Sequence, residues 1–69
     1  MHEPIAHRIK AARLAAGLTQ LDAANAVGCH VTRWSSWERG IEPRLQSLGK
    51  IAKVLGVTVS YLVIPPKEN

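Results

Sequence analysis

Between positions 29 and 39 the chain crowds its most chemically able side chains: Cys29, His30, Thr32, Arg33, Ser35, Ser36, Glu38 and Arg39. Hydroxyls donate and accept hydrogen bonds, and a guanidinium donates in a planar fork. Such a set suits directed hydrogen bonding to a polar surface. It does not suit bond-making chemistry, because Glu38 has no second carboxylate or nucleophile on its helix face and no nucleophile–base constellation exists. The chain is therefore not expected to be an enzyme. Cys29 is the single cysteine, and with His2, His7 and His30 it shows no paired spacing of the zinc type. No metal and no cofactor are expected, and Cys29 is read as a small core residue.

Nine Lys and Arg against five acids give a net charge of +4, a balance that favours a polyanionic partner. Sixty-nine residues can bury one modest core, so a single domain is expected over residues 1–64, with a frayed tail at 65–69. There is no Phe, and aromatics make up only 4%. Ala, Leu, Val, Ile and two Trp must fill the core, which favours close-packed short helices. One thiol fits a reducing compartment. No apolar run approaches the roughly 18 residues of a membrane span, and no signal peptide is evident, so no membrane and a cytoplasmic location are expected.

The elements that would position the polar cluster follow from periodicity and punctuation. Pro4 suits a first helical position, and Ile5, Ile9, Ala12 and Ala16 recur at helical spacing until Gly17. Thr19 can cap a second helix, with Asp22 completing a capping box. Ala24 and Val27 face inward, and Gly28 supplies a residue able to take positive φ. A third helix, Val31 to Glu38, places Trp34 and Trp37 on one side and ends at Gly40. After Pro43 the series Leu45, Leu48, Ile51, Ala52, Leu55 reads as an amphipathic helix stopped by Gly56. Thr58 can cap a fifth, short helix through Val59 and Leu62, which Pro65 and Pro66 forbid from continuing. No segment alternates with period two, so the fold class is all-α, five helices and no sheet.

A short helix, a Gly-containing turn and a second short helix form a helix-turn-helix. Ala24 is small where the two helices come closest, and Ala23, Val27, Cys29, Trp34 and Trp37 fall where side chains must fill the space behind them. Arg13, Gly17-Leu18-Thr19-Gln20, Ala24, Gly28, Trp37-Glu38-Arg39-Gly40, Pro43, Ile51-Ala52 and Leu55-Gly56-Val57 occur in one order. In that order, over residues 5–63, the chain resembles the lambda-repressor-like family of phage repressors, Cro proteins and related bacterial regulators (Cro/C1-type, XRE-like). Two positions depart from the pattern: Ala23 stands where the family usually has Leu, and Trp34 where it has a β-branched aliphatic. Trp34 is expected to fill the volume that Ala23 vacates.

The resemblance implies binding to double-stranded DNA, with the third helix in the major groove. It assigns base reading to Val31, Thr32 and Ser36, with Arg33 and Ser35 flanking. Val31 and the Thr32 methyl suit a thymine methyl, the hydroxyls of Thr32 and Ser36 suit several base edges, and Arg33 either meets a guanine bidentately or, since its place in the family pattern points partly toward the backbone, stands as a solvated phosphate neighbour. Gln20, at a helix N-terminus, is assigned a phosphate. Arg44 is assigned the backbone, Arg39 and Ser35 with it, and His30 either meets a phosphate or faces water. Arg13 and Glu38 are implied to form an ion pair tying the first helix to the end of the third.

One short helix contacts about four base pairs, too few for a useful specificity ratio against a genome, so a homodimer on a near-palindromic operator is expected. The apolar end Val59, Tyr61, Val63, Ile64 is the expected dimer patch. Three functional classes compete: a transcriptional regulator, in first place a repressor of the Cro/C1 type; an antitoxin or restriction-modification controller that also meets a protein partner; and a protein-interaction domain without DNA binding.

Overall fold

A computed structural model describes residues 5–63 of the chain. Pro4, Ile64 and the tail at 65–69, to which the sequence assigned a helix start, a dimer contact and fraying, lie outside the described residues. Five helices follow one another: α1 (Ile5–Ala15), α2 (Gln20–Val27), α3 (Val31–Glu38), α4 (Leu45–Leu55) and α5 (Val59–Val63). Among the described residues there is no strand. Among the described residues no helix is long and apolar enough to cross a membrane.

Each boundary has a local cause. The backbone N–H of Asp22 donates to the Thr19 hydroxyl at 3.0 Å, and the Thr19 N–H donates to the Asp22 carboxylate at 3.2 Å. This reciprocal capping box satisfies amides that the first turn of α2 leaves without helical partners. At the other end Gly28 adopts φ +91°, and the N–H groups of Gly28 and Cys29 both donate to the Ala24 carbonyl at 2.9 Å. A Cβ resists that left-handed conformation, so the turn depends on glycine. The Thr58 hydroxyl accepts from the Tyr61 N–H at 3.0 Å and starts α5.

The core gathers Ile9 and Ala12 from α1, Ala23 and Ala24 from α2, Trp34 and Trp37 from α3, Leu48, Ile51, Ala52 and Leu55 from α4, and Leu62 from α5. The alanines let helices approach closely, and the two indoles supply the bulk. Their rings meet edge to face, centroids 5.6 Å apart at 61°, the arrangement aromatic quadrupoles favour. Ala23 and Trp34 are both fully buried in this cluster, so the small and the large residue occupy one packed interior.

Two expectations need correction. Ala16 lies beyond the end of α1 in an exposed turn, where the N–H of Gly17 returns to Leu14 and the chain reverses. Leu45 was expected in the apolar stripe of α4 but is 77% exposed. It is the first residue of that helix, and the stripe meets the core only from Leu48, one turn later.

Candidate nucleic-acid interface

The polar cluster is organised around one buried carboxylate. Glu38, at the last position of α3, accepts from Arg13 Nε at 2.6 Å and Arg13 Nη2 at 3.1 Å. It also accepts from Gln20 Nε2 at 3.0 Å and Trp34 Nε1 at 2.6 Å. Arg13 further donates through Nη1 to the Leu18 carbonyl at 2.8 Å. The two charged side chains are 8% and 3% exposed, so the pair is fixed in a dry, fully bonded setting. Burial alone would raise the Glu38 pKa. The hydrogen bonds from Arg13, Gln20 and Trp34, together with the Arg13 charge, outweigh it and hold the carboxyl below its ordinary value. Helices α1, α2 and α3 are thereby pinned at a single point.

The ion pair was anticipated, but the further donors on it were not. Trp34 stands four residues before Glu38, a spacing that puts both on one helix face, and that spacing was the available signal for an indole–carboxylate bond. Gln20 was assigned to a phosphate. Its amide donates one proton to Glu38, and a primary amide carries a second proton and an acceptor oxygen besides.

With Trp34 and Trp37 held inward, the opposite side of α3 is turned outward. Thr32 and Arg33 are exposed, and with His30 and Ser36 they line an open concavity of about 430 Å³. His30 serves as the N-cap of α3: its Nδ1 accepts from the Thr32 N–H at 3.1 Å. Histidine is not among the usual capping residues, so its type carried no such signal. The bond uses Nδ1 as its acceptor, so Nε2 is the ring nitrogen that remains for a partner outside the helix.

Other assigned residues divide between the interface and the fold. The Ser36 hydroxyl donates to the Arg33 carbonyl at 2.6 Å, leaving its oxygen lone pairs for a donor outside the helix. Arg39 donates to the Ser35 hydroxyl at 3.1 Å, which holds these two together at the exposed end of α3. Arg44 is exposed before α4 and makes no side-chain cap bond. Val31 is half-buried and packs against the core, so its side chain is committed partly inward. Cys29 is half-buried against the same core.

At the far end, Tyr61 and Val63 are 40% and 38% exposed. Val59, expected beside them, is half-buried against the core. The Arg8 guanidinium lies 5.0 Å from the Tyr61 ring centroid and donates to the Tyr61 carbonyl at 2.6 Å, so α1 braces α5 beneath that patch. Among the described residues no group of His, Cys, Asp and Glu comes together in a way that could hold a metal ion.

Comparisons with known proteins agree with this geometry. No curated protein sequence matches the chain. Among solved structures, SinR in complex with DNA is 34% identical with a TM-score of 0.80, over 86% of this chain and 97% of that one. SinR is also known in a complex with the SinI protein. The P22 c2 repressor with a synthetic operator is 28% identical with a TM-score of 0.84, over 90% of this chain and 96% of that one. A third similar structure, FeII HppE, is 30% identical with a TM-score of 0.79 over 90% of this chain, yet the match spans only 33% of HppE. The helix-turn-helix family profile matches residues 9–62, which covers α2, α3 and α4 in full, α5 except its last residue, and α1 from Ile9 onward. The chain belongs to the helix-turn-helix family, in its lambda-repressor-like group.

Proposed function

We propose that this protein is a sequence-specific, double-stranded-DNA-binding transcription regulator, a repressor of the Cro/C1 type that acts in the cytoplasm as a homodimer on a near-palindromic operator. One observation carries the reading. α3 is anchored by two buried indoles and a buried carboxylate, while Thr32, Arg33, His30 and Ser36 line the concavity on its outward side. A rigid helix with hydroxyls and a guanidinium on its free face is what base-edge readout requires. Thr32, Arg33 and Ser36 read bases, with Val31 contributing at most its exposed edge. Gln20, His30, Ser35, Arg39 and Arg44 meet the phosphate backbone. The exposed Tyr61 and Val63 form the dimer contact, spacing two α3 helices about 34 Å apart along one face of the duplex.

A titration of generic duplex at two salt concentrations tests the first half of this reading. Affinity falls by about one log unit per log unit of salt for each phosphate neutralised; a flat response sinks it. Selection from a random duplex library tests the second half by returning two inverted half-sites. A single asymmetric site excludes the symmetric dimer. A second reading, a regulator of the antitoxin or controller kind that also meets a protein partner, is favoured by the relation to SinR, which forms a complex with SinI.

A further inference from the structure

A second concavity, of about 520 Å³, lies between α1 and the end of α3 and shares no residue with the one lined by Thr32 and Arg33. Its walls carry His7, Lys10, Ala11 and Leu14 from α1, facing Arg39 and Gly40. The α1 residues recur at intervals of three and four, so they form one stripe along two turns of the helix. The stripe combines small or aliphatic side chains with cations. Leu14 is 59% exposed, an uncovered apolar side chain in the middle of a cationic rim. Lys10 and Arg39 stand on opposite walls, and both are exposed.

We propose that this groove docks an acidic amphipathic helix of a partner protein, whose aliphatic residues cover Leu14 and Ala11 while its carboxylates meet Lys10 and Arg39. Three features select that occupant. The groove is about half open to solvent, so a small molecule would leave much of its surface wet, whereas binding sites for such ligands enclose most of them. Its lining is more apolar than polar, which suits a helix face in a groove better than a phosphate backbone. The rim is cationic, and Glu38, the one carboxylate among the described residues of the wall, is already neutralised by Arg13. An incoming acid therefore meets attraction on both sides. Gly40 lacks a side chain on the α3 side, which lets a helix approach closely there. The groove uses none of the base-reading residues on the Thr32 face and shares only Arg39 with the residues proposed to meet DNA, so a partner seated there competes with the duplex for that one guanidinium.

The test is a titration of the full chain, followed by amide NMR shifts, with a synthetic peptide of about fourteen residues that presents Glu on one helical face and Leu on the other. A scrambled peptide of equal charge and composition is run beside it. Saturable shifts centred on His7, Lys10, Ala11, Leu14, Arg39 and Gly40 are expected. Lys10→Glu and Ala11→Glu, both at exposed positions, should each weaken binding at least about tenfold, the scale of a central interface substitution, without altering the thermal melt. Equal binding of the scrambled peptide would reduce the effect to net charge and overturn the proposal. Shifts centred on the His30–Ser36 face, or none at millimolar peptide, would overturn it as well.

Discussion

The buried carboxylate of Glu38 makes the sharpest prediction. Glu38→Gln preserves size but removes the charge opposite Arg13, whose side chain is only 8% exposed. Stranding a buried guanidinium in this way costs about 3 to 5 kcal/mol. A 69-residue chain has roughly 3 to 10 kcal/mol of stability in all. The variant should thus lose at least about three tenths of its stability, and Tm should fall by at least about 12 °C. Urea denaturation followed by far-ultraviolet circular dichroism measures the loss at neutral pH. Acid adds a second signature. Because the folded pKa lies below the ordinary 4.5, the ionised carboxylate stabilises the fold fully above that value. The contribution disappears as pH falls through the lower folded pKa. The wild-type protein should weaken over that window, and Glu38→Gln should not share this component. Should Glu38→Gln fail to fold, the pair Arg13→Met with Glu38→Leu should recover part of the structure, since no charge is then stranded. A loss below about 1 kcal/mol, the value of an exposed ion pair, would refute the claim that the network is dry and fully coupled.

Other perturbations separate packing from recognition. Ala23→Leu with Trp34 retained should overpack the interior and cost about 1 to 3 kcal/mol in thermal melts; equal or higher stability would mean that the two residues do not share one space. His30→Ala should cost about 0.5 to 2 kcal/mol through loss of the α3 cap, and His30→Asn should restore most of it; identical melts for both variants would remove His30 from the capping role. Thr32→Ala should change preference at particular base pairs of a selected operator, whereas Gln20→Ala should weaken all sites alike. Uniform weakening by Thr32→Ala would reject it as a reader.

The parts of the fold written in the sequence are those set by local rules. Thr19 and Asp22 announce a capping box three residues apart, Gly28 marks the turn, and Ile51, Ala52 and Leu55 fall on one stripe. Side-chain partnerships across the fold were less legible. Leu45 fits the stripe of α4 by spacing, yet periodicity cannot say where a helix outruns its neighbours. Val59 read as part of an outward patch because its helix is too short for a face to be defined by pattern. The contact of Gln20 with Glu38 joins residues 18 positions apart, and only the packing of α2 on α3 brings them together. The Arg13–Glu38 pair was anticipated through family resemblance, because no spacing rule links positions 25 apart.

The edge-to-face indoles of α3 have a practical consequence. With two Trp, one Tyr and no Phe in the whole chain, nearly all of its near-ultraviolet signal and intrinsic fluorescence originates in α3 itself. One of the two emitters donates its N–H to a charged carboxylate, so its emission colour depends on whether that bond is intact. The protein carries a native optical gauge of how α3 is seated, and each of the variants above can be read without attaching a dye.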